Sequence, residues 1–260
     1  MKEHPNLRNV DWRLHEATTI IKGKSPNTGK DFSEGDVVKK YIPVSFKKGT
    51  LGFGLPNPTA IFLNSSNLLY EEAKDKFETL PITKKKRLKQ NIDNEKELFD
   101  YFEHMMGSIV LAYTAIDTFT NEYIPEDYSF ENVDNSNNNS HKQILTKEDI
   151  IWLPLDKRIL DILPEIFKTS FSKRKKIWSE YKKLKSLRDK IIHMRSKDIY
   201  PPVREKNIPI HQMKSYVTIW NSLISDPVFN GPKIAWNIIS FFLDKLSSTK
   251  QPRWYKNYPY

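Results

Sequence analysis

A chain of 260 residues, 38% hydrophobic and 12% aromatic, is expected to fold as one domain or a close pair, and so many aromatic side chains exclude a disordered polypeptide. It contains no cysteine, which excludes a disulfide framework, a cysteine-ligated zinc site and a thiol nucleophile. The net charge is +10, and most of it comes from residues 171–190, where nine cations oppose only Glu180 and Asp189.

Six of the eight glycines lie within the first 54 residues. That region also holds three runs of strand-forming residues, Thr18–Ile21, Val37–Val44 and Ala60–Leu63. Residues 1–66 are therefore expected to be an extended or β-hairpin segment without a core of its own. Gly23 to Asp31 resembles a phosphate-binding loop only superficially. Five residues separate its glycines instead of four, and Asp31 stands where a hydroxyl must reach magnesium, so it reads as a turn between strands.

The pattern changes at Asn67, which is expected to cap a helix through Phe77. A short cationic run, Lys84-Lys85-Lys86-Arg87, follows. From Asn94 to Tyr123, apolar residues recur at helical spacing (Phe99, Phe102, Met106, Ile109, Tyr113, Ile116, Phe119, Tyr123), predicting one long helix that stops at Pro125. Asp127–His141, rich in Asn, Ser and Asp, reads as a loop. The Thr146-Lys-Glu-Asp149 pattern predicts a capped helix start, and Ile159, Leu160, Ile162, Leu163, Ile166 and Phe167 form a second apolar face. A basic helix is predicted over roughly Lys173 to Met194, then a proline-bearing loop at 196–210 and two helices, Met213–Ser225 and Pro232–Leu246. Pro232 suits a first helical turn.

The fold expected is mainly α: a helical domain over 67–247, preceded by the short N-terminal β segment and followed by a basic aromatic tail at 248–260. That tail, with Arg253, Trp254, Tyr255 and Lys256, reads either as a stacking platform for bases or as a terminus packed on its own domain. The N-terminus has no apolar run of the secretory kind. The most apolar windows, Gly107–Ile116 and Ala235–Leu243, fall short of the about 20 residues that span a bilayer. A cytoplasmic protein without membrane attachment is expected.

The basic helix has apolar residues Ile177, Trp178, Tyr181, Leu184, Leu187 and Ile191 at helical steps, so it has a core face and a cationic face. The cationic face reads either as a solvated surface or as a binding surface for a polyanion. Near its end the sequence runs Leu187-Arg188-Asp189-Lys190-Ile191-Ile192-His193. Asp189 and His193, four apart, share a face, while Arg188 and His193 are separated by about 140° on an ideal helix. These residue types suit phosphodiester chemistry. Histidine moves protons near neutral pH, arginine holds phosphate oxygens as charge builds up, and Asp189 could orient the imidazole. Two copies of the helix packed across a symmetric dimer would pool two arginines and two histidines.

Three stretches together resemble the HEPN superfamily (higher eukaryotes and prokaryotes nucleotide-binding). They are Trp178 to His193 with its Arg-Asp-x3-His spacing, Ala112 to Pro125 with Asp117 and Asn121 one turn apart, and Leu155 to Pro164. The resemblance covers residues 67–246. It implies a helical bundle that dimerises through the motif helix. It also implies a metal-independent endoribonuclease, with no cofactor, in a toxin or phage-defence role, sometimes under an antitoxin or other regulatory partner. Carried over by position, Arg188 and His193 are the catalytic pair and Asp189 the polar residue beside the arginine. Lys182, Lys185, Lys190 and Arg195 are expected to bind RNA. Asp117 and Asn121 either support that cleft or make a buried polar contact and end their helix. Some members of the superfamily have lost activity, so an inactive dimer that binds nucleic acid or a protein is the alternative.

Overall fold

The structure, a computed structural model, describes residues 10–19, 23–24, 29, 31–80, 95–134, 141–195, 219–227 and 229–259. Among the described residues the chain is mainly α, with short antiparallel strand pairs. Its contacts divide it into two units: residues 1–61 with 246–260, and residues 62–245.

The first unit pairs β1 (Ala17–Thr19) with β4 (Val37–Lys39), and β2 (Gly23–Lys24) with β3 (Asp31–Phe32). The phosphate-loop lookalike is thus two strand ends set antiparallel, with Gly23 opposite Phe32. β5 (Tyr41–Phe46) and β6 (Gly49–Gly54) form a hairpin in which Phe46 faces Gly49. Gly49 has φ +153°, a backbone conformation that a side chain would strain. The C-terminal segment belongs to this unit. Arg253 in a short helix, Arg253–Lys256, donates to the carbonyls of Val10 and Asp11 at 2.9 Å. Trp254 is fully buried, so the tail packs its aromatics within its own unit.

Helix α1 (Pro58–Thr79) begins earlier than the expected Asn67. Asn57, itself buried, accepts from the Ala60 amide at 2.8 Å and so caps the helix, and Pro58 stands in its first turn. The strand-like run Ala60–Leu63 is therefore helical: a cap and a proline override the β preference of a short apolar run.

In the second unit α2 (Glu95–Tyr123) is the central element. It ends before Pro125, as its sequence predicts. Its buried face holds Tyr101, Met105, Ile109, Ala112, Ile116 and Phe119, whereas Phe99, expected on that face, is 58% exposed. Phe99 instead lines an open apolar pocket with Phe102, Met106 and Trp220. Ser66 of α1 and Ser108 of α2 exchange hydrogen bonds with each other's carbonyls at 2.8 Å, which satisfies two buried hydroxyls.

The expected loop Asp127–His141 holds β7 (Phe130–Asp134) and the first residue of β8 (His141–Leu145), which pair as an antiparallel hairpin; Asn137, Asn138 and Asn139 lie outside the described residues. The Asp149 carboxylate accepts from the Thr146 amide at 3.0 Å, as the capping pattern predicts. The next apolar stretch has a π-helical turn at Arg158–Ile162. Pro164 has no N–H for the Leu160 carbonyl and its ring crowds it, which accounts for the widened turn.

The basic helix, α3 here, runs from Lys176 to Ile192. A short helix, α4, spans Ile219–Ser225 and α5 spans Gly231–Leu243. Asn230 caps α5 by accepting from the Lys233 amide at 2.8 Å, and Pro232 occupies its first turn. A Cβ on Gly231 would lie 3.4 Å from the Ala112 Cβ and 3.5 Å from Leu184, so α5 starts where α2 and α3 converge. The 84–87 cationic run, the 196–210 loop and residues 213–218 lie outside the described residues.

Candidate nucleic-acid interface

The amphipathic pattern of α3 places its side chains as the period requires. Trp178, Tyr181, Leu184 and Ile191 are buried, and Lys182, Lys183 and Ser186 face outward. Burial of the apolar face holds the helix against α2, where Tyr181 stacks on Tyr113 with ring centroids 6.2 Å apart. Burial raises the pKa of both phenols above the ordinary tyrosine value, so both stay neutral.

Asp156, just ahead of the π turn, gathers three groups from α3. Tyr181 donates its hydroxyl at 2.8 Å, Lys182 its ammonium at 2.8 Å and Lys185 its ammonium at 2.9 Å. Burial works against ionisation of this carboxyl, but the three hydrogen bonds outweigh it and hold Asp156 below the ordinary aspartate value. Two of the expected RNA-binding lysines therefore begin partly neutralised.

The helix ends at His193, whose backbone leaves the helical region (φ −113°, ψ 46°) while its amide still donates to the Asp189 carbonyl at 2.9 Å. This swings the imidazole outward, where it is exposed. It lines an open groove of about 590 Å3 with Lys182, Lys185, Ser186, Asp189, Lys190 and Arg195. The groove thus brings together every residue expected to bind RNA, together with His193 and Asp189.

Arg188 is placed differently. Its guanidinium lies over the ring of Tyr113, 4.7 Å from the centroid, and donates to the Asp189 carboxylate at 3.0 Å. Asp189 thus pairs with Arg188, and no hydrogen bond joins it to the imidazole of His193 among the described residues. Ring and carboxylate together leave Arg188 beside the groove, half-buried.

Asp117 and Asn121 do not line the groove. Both accept from the guanidinium of Arg158, which also donates to the Thr120 hydroxyl at 2.8 Å. Arg158 is buried, with 5% of its side chain exposed, against 39% for Asp117. The polar residues of the α2 face are thus held by a cation from the π turn. No local pattern singles out Arg158 in the sequence, since Asp156, Lys157 and Asp161 beside it are charged too and its acceptors lie 37 to 41 residues earlier.

Among the described residues no group of three or more His, Asp or Glu side chains could hold a metal ion, and no helix is long and apolar enough to cross a membrane. Comparison with protein-family models, with curated proteins and with solved structures finds no match to this chain.

Proposed function

We propose that the protein is a HEPN-like, metal-independent endoribonuclease that works as a homodimer through its basic helix, as a cytoplasmic toxin or phage-defence effector. One observation carries the reading. A histidine at the end of a cationic helix opens into a groove lined by Lys182, Lys185, Lys190 and Arg195, with Arg188 at its side.

In this mechanism the cations hold the RNA backbone. The imidazole of His193 from one copy takes the proton of a ribose 2′-hydroxyl, and the 2′-oxygen bonds to phosphorus. The P–O5′ bond breaks, and the partner copy's imidazolium returns a proton to the leaving 5′-oxygen. The products are a 2′,3′-cyclic phosphate and a 5′-hydroxyl. Arg188 stabilises the charge on the phosphorane oxygens. To do so it exchanges the Asp189 carboxylate for a phosphate, a short side-chain swing from its seat on Tyr113.

The test is induced expression of the wild type, Arg188→Ala and His193→Ala, following growth and RNA ends in the same cultures. The expected result is growth arrest and RNA with 2′,3′-cyclic ends in the wild type alone. Variants that cleave as fast as the wild type would overturn the mechanism.

A second reading is an inactive dimer that binds nucleic acid or a protein partner. It is favoured by the pairing of Asp189 with Arg188, which leaves the imidazole of His193 without an orienting carboxylate. It predicts salt-sensitive RNA binding without cleavage, unchanged by His193→Ala and weakened when Lys182, Lys183 and Lys185 are removed together.

A further inference from the structure

The groove at His193 does not end at Lys182 and Ser186. The same two residues line a second cleft, of about 620 Å3, on the other flank of α3, against α4. Ser186 stands seven residues before His193, about 10 Å along the helix, so a strand that leaves the first groove enters the second within a short length.

The second cleft differs in chemistry from the first. Trp178, Leu187 and Phe229 give it an apolar floor, of which the indole and the phenyl ring are largely buried. Serine hydroxyls stand around its rim, and Lys182 and Lys183 stand at its α3 edge. Against these cations the described residues of the cleft set a single carboxylate, Asp226, exposed just past the end of α4. Among the described residues its side chain takes part in no hydrogen bond or ion pair.

A carboxylate is out of place in a cleft meant only for phosphates, because it repels them. It is in place where a base edge must be read. An ionised carboxylate only accepts, and it accepts best from two adjacent donors. Guanine alone among the four RNA bases offers such a pair, N1–H beside the N2 amine. Adenine and cytosine set one amine beside a ring nitrogen acceptor, and uracil has one N–H between two carbonyls. Single-stranded RNA leaves these edges free to be read.

Building on the ribonuclease reading, we infer that this cleft is a guanine subsite: Asp226 accepts from the Watson–Crick edge, the apolar floor carries the ring, and Lys182 and Lys183 hold the adjoining phosphates. The enzyme therefore prefers single-stranded RNA with a guanosine close to the cut bond.

The test uses the full chain with His193→Ala, so that RNA is bound and not consumed. Two oligoribonucleotides are titrated, an all-uridine octamer and the same octamer with one central guanosine. The guanosine oligomer is expected to bind roughly tenfold tighter or more, and the added variant Asp226→Asn to bring the two affinities together. Equal affinities without Asp226→Asn, or a guanosine preference that persists with it, overturn the subsite; so does failure to bind either oligomer. Asp226 is exposed, and a thermal melt confirms that the variant is folded.

Cleavage mapping with His193 intact separates this inference from the reading beneath it. If wild type and Asp226→Asn cut RNA with the same base profile, the subsite falls and the ribonuclease stands. If no RNA is cut while guanosine binding depends on Asp226, the ribonuclease falls and the subsite stands.

Discussion

Arg158 and Arg188 both reach the central helix α2, and they are held in opposite ways. Arg158 enters from a π turn, is 5% exposed, and spends its guanidinium on Asp117, Thr120 and Asn121. Arg188 enters from the basic helix one turn earlier along α2 and lies on the face of Tyr113. Among the described residues it pairs only with the carboxylate beside it in sequence, and its side chain is 31% exposed. A guanidinium with several partners on another element locks two parts of a core together. One held by a ring face and its own neighbour can change partners at little cost. The comparison assigns Arg158 to stability and leaves Arg188 available to a phosphate.

The strongest way to break this contrast is to exchange the outcomes. Arg158→Ala is expected to destabilise the protein by about 3 kcal/mol, the low end for breaking a buried ion pair because Asp117 keeps some contact with water. Arg158→Lys is expected to recover little, since a point charge cannot serve three acceptors arranged around a planar fork. Arg188→Ala is expected to cost about 1 kcal/mol or less in the same urea titration. If Arg188→Ala unfolds the protein as readily as Arg158→Ala, the division of labour is wrong.

Cleavage is expected to respond the other way. His193→Ala and Arg188→Ala should each lower the rate by roughly a hundredfold or more, measured on the folded protein with a labelled RNA. Asp117→Asn, which alters the Arg158 cluster outside the groove, should change the rate per folded molecule by less than about threefold. A loss with Asp117→Asn as deep as that with His193→Ala would move the α2 polar residues back into the cleft.

What could be read in the sequence follows the same divide between local and distant causes. The period of α2 and α3, the stop at Pro125 and the first turn at Pro232 are consequences of neighbouring residues, and all are present in the structure. The co-location of Lys182, Lys185, Asp189 and His193 is of this kind too, because one helix carries them. Asn57 in place of Asn67 as the cap of α1 was hidden by a short apolar run that fits helix and strand equally. The β7–β8 hairpin was hidden because the stretch that joins its strands is rich in Asn and Ser. The partners of Asp156 and Arg158 come from 25 to 41 residues away, and no spacing rule for a single helix reaches so far.

Asp156 offers a finer test on the groove itself. Asp156→Asn removes the carboxylate that holds Lys182 and Lys185, and is expected to destabilise the fold by about 1 kcal/mol while tightening RNA binding severalfold. The pH dependence has a definite sign. The folded protein holds this carboxyl below its ordinary value, so its contribution to stability is fully present above the unfolded value of about 3.9 and is lost as pH falls through the lower folded value. The wild type should therefore lose more stability below about pH 4 than Asp156→Asn does. Parallel acid titrations of the two would show that the contacts around Asp156 contribute nothing.

The smallest effect expected comes from Asp189, and it separates two roles that one carboxylate could play. In the structure Asp189 neutralises Arg188. If that is its work, Asp189→Asn frees a cation at the edge of the groove. RNA affinity then rises about threefold, and the slope of log affinity against log salt steepens by about one. If Asp189 instead turns to the imidazole of His193 once RNA is bound, the same substitution leaves affinity and slope unchanged and lowers the cleavage rate by roughly tenfold or more. Affinity, salt slope and rate measured on one variant thus tell a brake on Arg188 from a support for His193. The half-buried, half-held state of Arg188 favours the brake, because a guanidinium already on the face of Tyr113 needs only to lose this one carboxylate to meet a phosphate.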